Sequence, residues 1–191
     1  MLKNQKGFSL VELVIMILVV GLLAVAALPR FLDVTDEAKK SSIEGVAGGF
    51  ATAILSARAQ WEAEARPSEK IGVETYNTVN YDGVDFWLTR SKNSSNVETD
   101  FRDGYPWTLN NNSSTAPQDI SDETCSELME NLLQNPPKVG PISDVANDSN
   151  YKYSAQANSG DATCTYVQLE GSTEHEFVYE IKTGRVTVTL Q

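Results

Sequence analysis

One carboxylate, Glu12, stands inside an otherwise uncharged run of 21 residues, 8–28. In lipid, a charged side chain costs a few kcal/mol or more, so its presence there marks a function that needs a partner charge. Phe8 lies four positions earlier, directly after Gly7. A cut after Gly7 would turn Phe8 into a new N-terminus and put an ammonium group one helical turn from Glu12. Within one helix the two charges would neutralise each other. Between neighbouring helices the same pair would set axial register, in surroundings where unpaired charge is heavily penalised. The remaining candidates for chemistry are Cys125, Cys164 and one histidine, His175. Two cysteines and one histidine fall short of the usual four zinc ligands, and no metal site is expected from them. If the C-terminal part lies outside the cytoplasm, the cysteines read as a disulfide. No nucleophile elbow, phosphate loop or dinucleotide fingerprint occurs, so neither an enzyme nor a cofactor is expected. His175 falls between two strand-like stretches and reads as a solvated turn residue.

The elements that must position these residues divide the chain sharply. At 1.5 Å per residue, the run 8–28 spans ~30 Å, the thickness of a bilayer core. Lys3 and Lys6 precede it and Pro29 and Arg30 follow it. Short basic leaders stay cytoplasmic, so the remainder of the chain is expected on the far side of the membrane. Two simpler readings compete. A secretory signal would use the Ala24-Val25-Ala26 match, but its apolar stretch would be shorter. A plain single-pass anchor leaves Glu12 without a purpose. The net charge of -11 argues against a nucleic-acid partner, since phosphate binding needs a basic face.

Beyond Pro29 the helical pattern continues. Phe31, Val34, Ala38, Ile43, Val46, Ala47, Phe50, Ile54, Ala57 and Trp61 recur mostly at steps of three and four, forming one apolar stripe that Pro67 ends. Pro29 should kink this helix. Gly45, Gly48 and Gly49 weaken it, and serve either packing on the chain's own sheet or close approach of a neighbour. Strand-like stretches at 77–81 and 84–90 flank Asp82-Gly83, as a hairpin or as the loop that joins helix to sheet. The segment 101–107, with aromatics beside Gly104 and Pro106, reads as a loop anchored by its rings. Ser121 starts a short helix carrying Cys125, Leu128, Met129, Leu132 and Leu133. The strongest β signals are 163–169, 176–182 and 185–190, the last two joined by Thr183-Gly184. One sheet of about four or five strands is therefore expected on the amphipathic half of the helix. The loop bearing Asp144, Asp148, Asn150 and Asp161 is acidic, but lacks the spacing of a calcium-binding loop.

The stretch Lys6-Gly7-Phe8-Ser9-Leu10-Val11-Glu12-Leu13 resembles the processing site of type IV prepilins and the related pseudopilins. That resemblance implies an α+β pilin fold, with a long N-terminal helix packed on a C-terminal antiparallel sheet. It implies a leader 1–7 removed by a prepilin peptidase after Gly7, methylation of Phe8 and an assembly role for Glu12. Gly21 and Pro29 fall where such helices loosen. The layout it implies is a membrane and assembly helix 8–29, an amphipathic continuation 30–66 and a head 67–191. Cys125 and Cys164 then bound the disulfide-linked C-terminal region common in these proteins. Implied partners are other pilin subunits and an inner-membrane assembly platform, with the subunit anchored first in the inner membrane and later part of an extracellular pilus. Residues 27–38 are similar to pilins of the mannose-sensitive haemagglutinin type, in particular its minor subunit, for which surface adhesion is implied. A type II secretion pseudopilin shares the N-terminal motif. A DNA-uptake pilin would want a basic tip, against which the acidic head argues.

Overall fold

In a computed structural model of the chain, residues 7–111, 115–170 and 174–191 are described, with 28–33 as backbone only. The first helix, α1, runs Leu10–Ala63. The chain falls into two compact units, one ending at Lys39 and the other starting at Lys40. In the first unit, the window Leu10–Ala27 has a mean hydropathy of 2.9 and is long and apolar enough to cross a membrane. Its side chains are exposed on all faces. Such a helix buries nothing against its own chain and needs lipid or other helices around it.

The second unit begins with the C-terminal part of α1. Ile43, Ala47, Phe50, Ile54, Ala57 and Trp61 are all buried, which is the stripe expected from the spacing. Phe50 anchors it. Its ring lies 5.5 Å from Tyr166, 5.8 Å from Phe177 and 5.5 Å from Tyr179. Each large apolar side chain buried this way contributes about 1.5–3 kcal/mol. The helix stops through backbone geometry. Ala65 and Arg66 both take left-handed φ values, +63° and +60°. The Arg66 N–H donates to the Trp61 carbonyl at 2.8 Å and the Ala65 N–H to Glu62 at 3.2 Å, the paired bonds of a Schellman ending. The apolar contact that normally accompanies this motif is replaced by the Arg66 guanidinium, 5.4 Å from the Trp61 ring centroid. Pro67 then forbids further helix.

The described residues form two sheets, where the alternation suggested one. The first orders β1 (Ser68–Ile71), β2 (Glu74–Tyr81), β3 (Val84–Leu88) and β4 (Pro106–Leu109) as an antiparallel meander. Asp82 and Gly83 both have positive φ and close the β2–β3 hairpin, so this segment is a hairpin and not a connecting loop. The helix α2 (Asp122–Leu132) follows, capped as expected by Ser121, which exchanges hydrogen bonds with Thr124. The second sheet orders β5 (Val139–Pro141), β6 (Tyr153–Asn158), β7 (Thr163–Gln168), β8 (Glu176–Glu180) and β9 (Arg185–Thr189). It is antiparallel except for β5 beside β6. A short helix, α3 (Ile142–Val145), lies between β5 and β6.

The segment 101–107 is anchored as its rings suggested. Phe101 and Trp107 stack at 5.7 Å, Tyr105 is buried, and the Gly104 N–H donates to the Thr89 carbonyl at 2.9 Å. Two glycines are required at this seam. A Cβ on Gly104 (φ +88°) would meet the Trp61 ring at 2.6 Å, and one on Gly184 (φ +74°) would meet the Tyr105 ring at 2.0 Å. Gly184→Ala should therefore destabilise the head by about 3 kcal/mol, combining left-handed strain with overpacking of a ring that has no room to retreat. Urea unfolding followed by tryptophan fluorescence checks this; an unchanged midpoint would contradict the packing at the β8–β9 turn.

Candidate assembly site

The N-terminal residues singled out by their chemistry lie together at the start of α1. Gly7 and Phe8 precede the helix, and Phe8 is 80% exposed. Of the expected leader 1–7, only Gly7 lies within the described residues. The helix starts at Leu10, later than a helix beginning at Phe8, because Ser9 caps it. The Glu12 N–H donates to Ser9 Oγ at 3.2 Å, and the Ser9 N–H donates to Glu12 Oε2 at 2.9 Å. This reciprocal arrangement is a capping box, and its pattern Ser9-x-x-Glu12 was legible in the sequence as a helix start. It gives Glu12 a local role beyond its charge: the carboxylate satisfies one of the N–H groups that every helix N-terminus leaves open. Among the described residues Oε1 of Glu12 has no partner, so one oxygen is fixed and the other is free to accept from a cation.

Gly21 and Pro29 both lie within α1, whose backbone is helical through them. A Cβ added at Gly21 would meet nothing within 4 Å. The same holds for Gly45 and Gly48, whereas one on Gly49 would reach Leu133 Cδ2 at 3.4 Å. Gly49 thus serves packing inside the chain, and Gly45 and Gly48 do not. Thr52, Leu55 and Ala59 continue their face at steps of four, three and four, and the whole face is exposed and uncharged, with Leu55 57% exposed.

Cys125 on α2 and Cys164 on β7 are joined in a disulfide with a Cα–Cα distance of 5.6 Å, and both are fully buried. The Tyr166 hydroxyl donates to the Cys125 carbonyl at 2.7 Å, and burial holds its phenol well above the usual tyrosine range. The acidic loop does not gather. Asp148 pairs with Lys138 at 2.7 Å, Asp144 accepts from Ser143, and Asp161 accepts from Asn158. Among the described residues no group of three or more histidine, cysteine, aspartate or glutamate side chains is placed to hold a metal. His175 corrects its sequence reading: it is fully buried, and its Nδ1 accepts from the Gln191 N–H at 3.1 Å. The missed signal was phase. Positions 175, 177, 179 and 181 alternate inward, so the histidine extends the buried face of β8.

Comparison with known proteins places this geometry. Residues 2–28 match a family model described as the prokaryotic N-terminal methylation motif. Over 121 residues the chain is 31% identical to the type IV narrow pilus major component PilA5 of Thermus thermophilus, covering 63% of this chain and 84% of that protein. It is 31% identical over 107 residues to the type IV major pilin protein PilE of Neisseria gonorrhoeae, covering 51% of this chain and 62% of the relative. A fimbrial protein of Eikenella corrodens, EcpC, is 40% identical over 68 residues, or 34% of this chain and 44% of the relative. No solved structure matches the chain.

Proposed function

Because this chain belongs to the type IV pilin family, we propose that it is a structural, non-catalytic subunit of a surface pilus of the mannose-sensitive haemagglutinin type, serving adhesion. Its prepilin is cut after Gly7 by a membrane peptidase and methylated at Phe8. The helix first spans the inner membrane, with the head on the periplasmic side. It is then drawn by the assembly platform into a filament with other pilin subunits, where Gly21 and Pro29 let it loosen on leaving lipid.

The observation that carries this reading is the free Oε1 of Glu12 at the mouth of an exposed apolar helix. Cutting after Gly7 leaves the Ser9 N–H an amide, so the capping box survives processing. The new Phe8 ammonium is then a cation made available by that same cut, from its own chain or from the subunit next to it. The uncharged face of α1 adds support. A glycine in a helix interior costs up to about 1 kcal/mol relative to alanine. Gly45 and Gly48 bring no intramolecular packing in return, while their missing side chains let another backbone come close.

Filaments sheared from cells, digested and analysed by mass spectrometry, test the proposal. The N-terminal peptide should begin at Phe8, carry one added methyl group and be absent from the leader-bearing form. Recovery of this peptide only in the cell envelope, with loss of exported proteins when the chain is deleted, would instead identify a secretion pseudopilin.

A further inference from the structure

In a chain of net charge -11, a group of cations gathers at one seam of the head. The Arg102 backbone N–H donates to the Lys182 carbonyl at 2.8 Å. Lys182 and Arg185 flank the turn that joins β8 to β9, where the Gly184 N–H donates to the Glu180 carbonyl at 2.8 Å. The Tyr105 ring lies directly against Gly184. The Arg58 guanidinium of α1 stands 4.6 Å from that ring's centroid and donates to its hydroxyl. Backbone hydrogen bonds and ring packing thus hold Arg58, Arg102, Lys182 and Arg185 around one tyrosine. The acids that flank them are occupied. Asp103 accepts from the Ser91 N–H and hydroxyl at 2.7 and 2.9 Å, and Glu180 accepts from Thr183 Oγ1 at 2.7 Å. Among the described residues, Arg102, Lys182 and Arg185 make no ion pair, whereas Arg66, Arg90, Lys92, Lys138 and Lys152 each hold a carboxylate. Arg102 and Arg185 are exposed and Lys182 half-buried.

The opposite imbalance lies on α2. Between Arg102 and Lys138 stand Asp103, Asp119, Asp122, Glu123, Glu127 and Glu130, with no lysine, arginine or histidine. Glu123, Glu127 and Glu130 follow at steps of four and three, which puts them on one face of the helix. Glu123 and Glu130 are exposed and Glu127 is half-buried. Among the described residues no cation pairs with any of the three. Burial, then the charges of Glu123 and Glu130, hold the Glu127 carboxyl above its usual range. A cation brought to this face from outside the chain would ease that repulsion.

We propose that the basic seam of one copy docks on the acidic face of α2 in the next copy. The contact rests on the reading of the chain as a filament subunit. Copies that each carry a charge of -11 repel one another when packed closely, so opposite patches must meet for the heads to sit side by side. A nucleic acid or an anionic glycan would satisfy the seam but leave the α2 face as it is. A second copy satisfies both. The two patches differ, so the contact is heterologous, and heterologous contacts that do not close into a ring propagate as helical arrays. Charge complementarity of this kind mainly fixes register and rejects wrong neighbours.

Blots of filaments sheared from cells test the contact. Arg102→Glu with Lys182→Glu should lower recovery of the chain in filaments roughly tenfold, and so should Glu123→Lys with Glu130→Lys, since each pair sets like charges face to face. All four changes in one chain restore opposite signs and should return recovery to within about threefold of native. In detergent micelles each variant should unfold at the native midpoint, because none of these four side chains has an ion partner of its own. A second measurement needs no variant. Carbodiimide, which joins an amine to a carboxylate it touches, should link Lys182 of one copy to Glu123, Glu127 or Glu130 of another in native filaments, as read by mass spectrometry of the dimer band. Native recovery of either reversed pair overturns the proposal, as does a folded fourfold variant that stays out of filaments, or a dimer band in which Lys182 is unlinked or linked elsewhere. A native chain that never enters filaments removes the filament reading itself and this contact with it, a result distinct from native filaments that tolerate the reversals.

Discussion

Glu12→Ala should yield a chain that inserts in the membrane and loses its leader normally, while its recovery in sheared filaments falls by about tenfold or more. The expectation follows from two separable contributions. The capping box formed with Ser9 is lost, which costs about 1 kcal/mol of helix-start stability. The acceptor for the Phe8 ammonium is lost as well. A charge-assisted hydrogen bond in a water-poor setting is worth about 1.5–3 kcal/mol, and every 1.4 kcal/mol is a tenfold change in an equilibrium. Glu12→Gln separates the two, because the amide oxygen still accepts from the Ser9 N–H but carries no charge. If incorporation depends on charge, glutamine should behave like alanine. If it depends only on a well-formed helix start, glutamine should restore it. Immunoblots of filament and membrane fractions read both outcomes, and normal incorporation of the alanine chain would remove Glu12 from assembly.

The parts of this protein legible in the sequence are those written in local rules. The apolar helix, the buried stripe of α1, the Asp82-Gly83 hairpin, the Ser121 cap and the final β8–β9 hairpin each occupy a few consecutive residues with their own periodicity or turn chemistry. What escaped is mostly held by distant partners. The strand β4 opens on Pro106, β5 is three residues ending in proline, and β6 reads Tyr-Ser-Ala-Gln-Ala-Asn, with little β-branched content. Their pairing comes from neighbours: Thr108 aligns with Trp87, and Val139 with Tyr153. Tertiary context overrides weak strand propensity here, and this turns the one expected sheet into two. The ending of α1 was half legible. Pro67 announced the stop, but the consecutive left-handed residues Ala65 and Arg66 had no glycine to advertise them. At the assembly site the reverse applied. The Ser9-x-x-Glu12 pattern was in plain view, but the carboxylate reads first as a buried charge, and its capping role became evident only from the atoms it meets.

Replacing both cysteines, Cys125→Ala and Cys164→Ala, should cost the head about 4 kcal/mol. That is the chain entropy released when a loop of some forty residues is no longer closed. Alanine is the right replacement, since serine would add two hydroxyls to fully buried positions and confuse the result with unsatisfied polar groups. Against a typical total of 5–15 kcal/mol for a folded domain, the loss is large. Its consequences should concentrate where the bond acts. The disulfide ties α2 to β7, and the closed loop contains β5, α3 and β6. The Tyr166 hydroxyl bonds to the Cys125 carbonyl, so helix and sheet share a second, non-covalent tie at the same point. Tyr166→Phe alone should therefore cost about 0.5–1.5 kcal/mol, the net worth of one buried hydrogen bond, since the Cys125 carbonyl keeps its place in the backbone ladder of α2. Added to the alanine pair, it should cost less, because α2 is then already free to shift. Urea unfolding of the four chains forms a double-mutant cycle that isolates this coupling. Strict additivity would show that the tyrosine and the disulfide hold α2 independently, and a loss below about 1 kcal/mol in the alanine pair would show that the head closes this loop by packing alone.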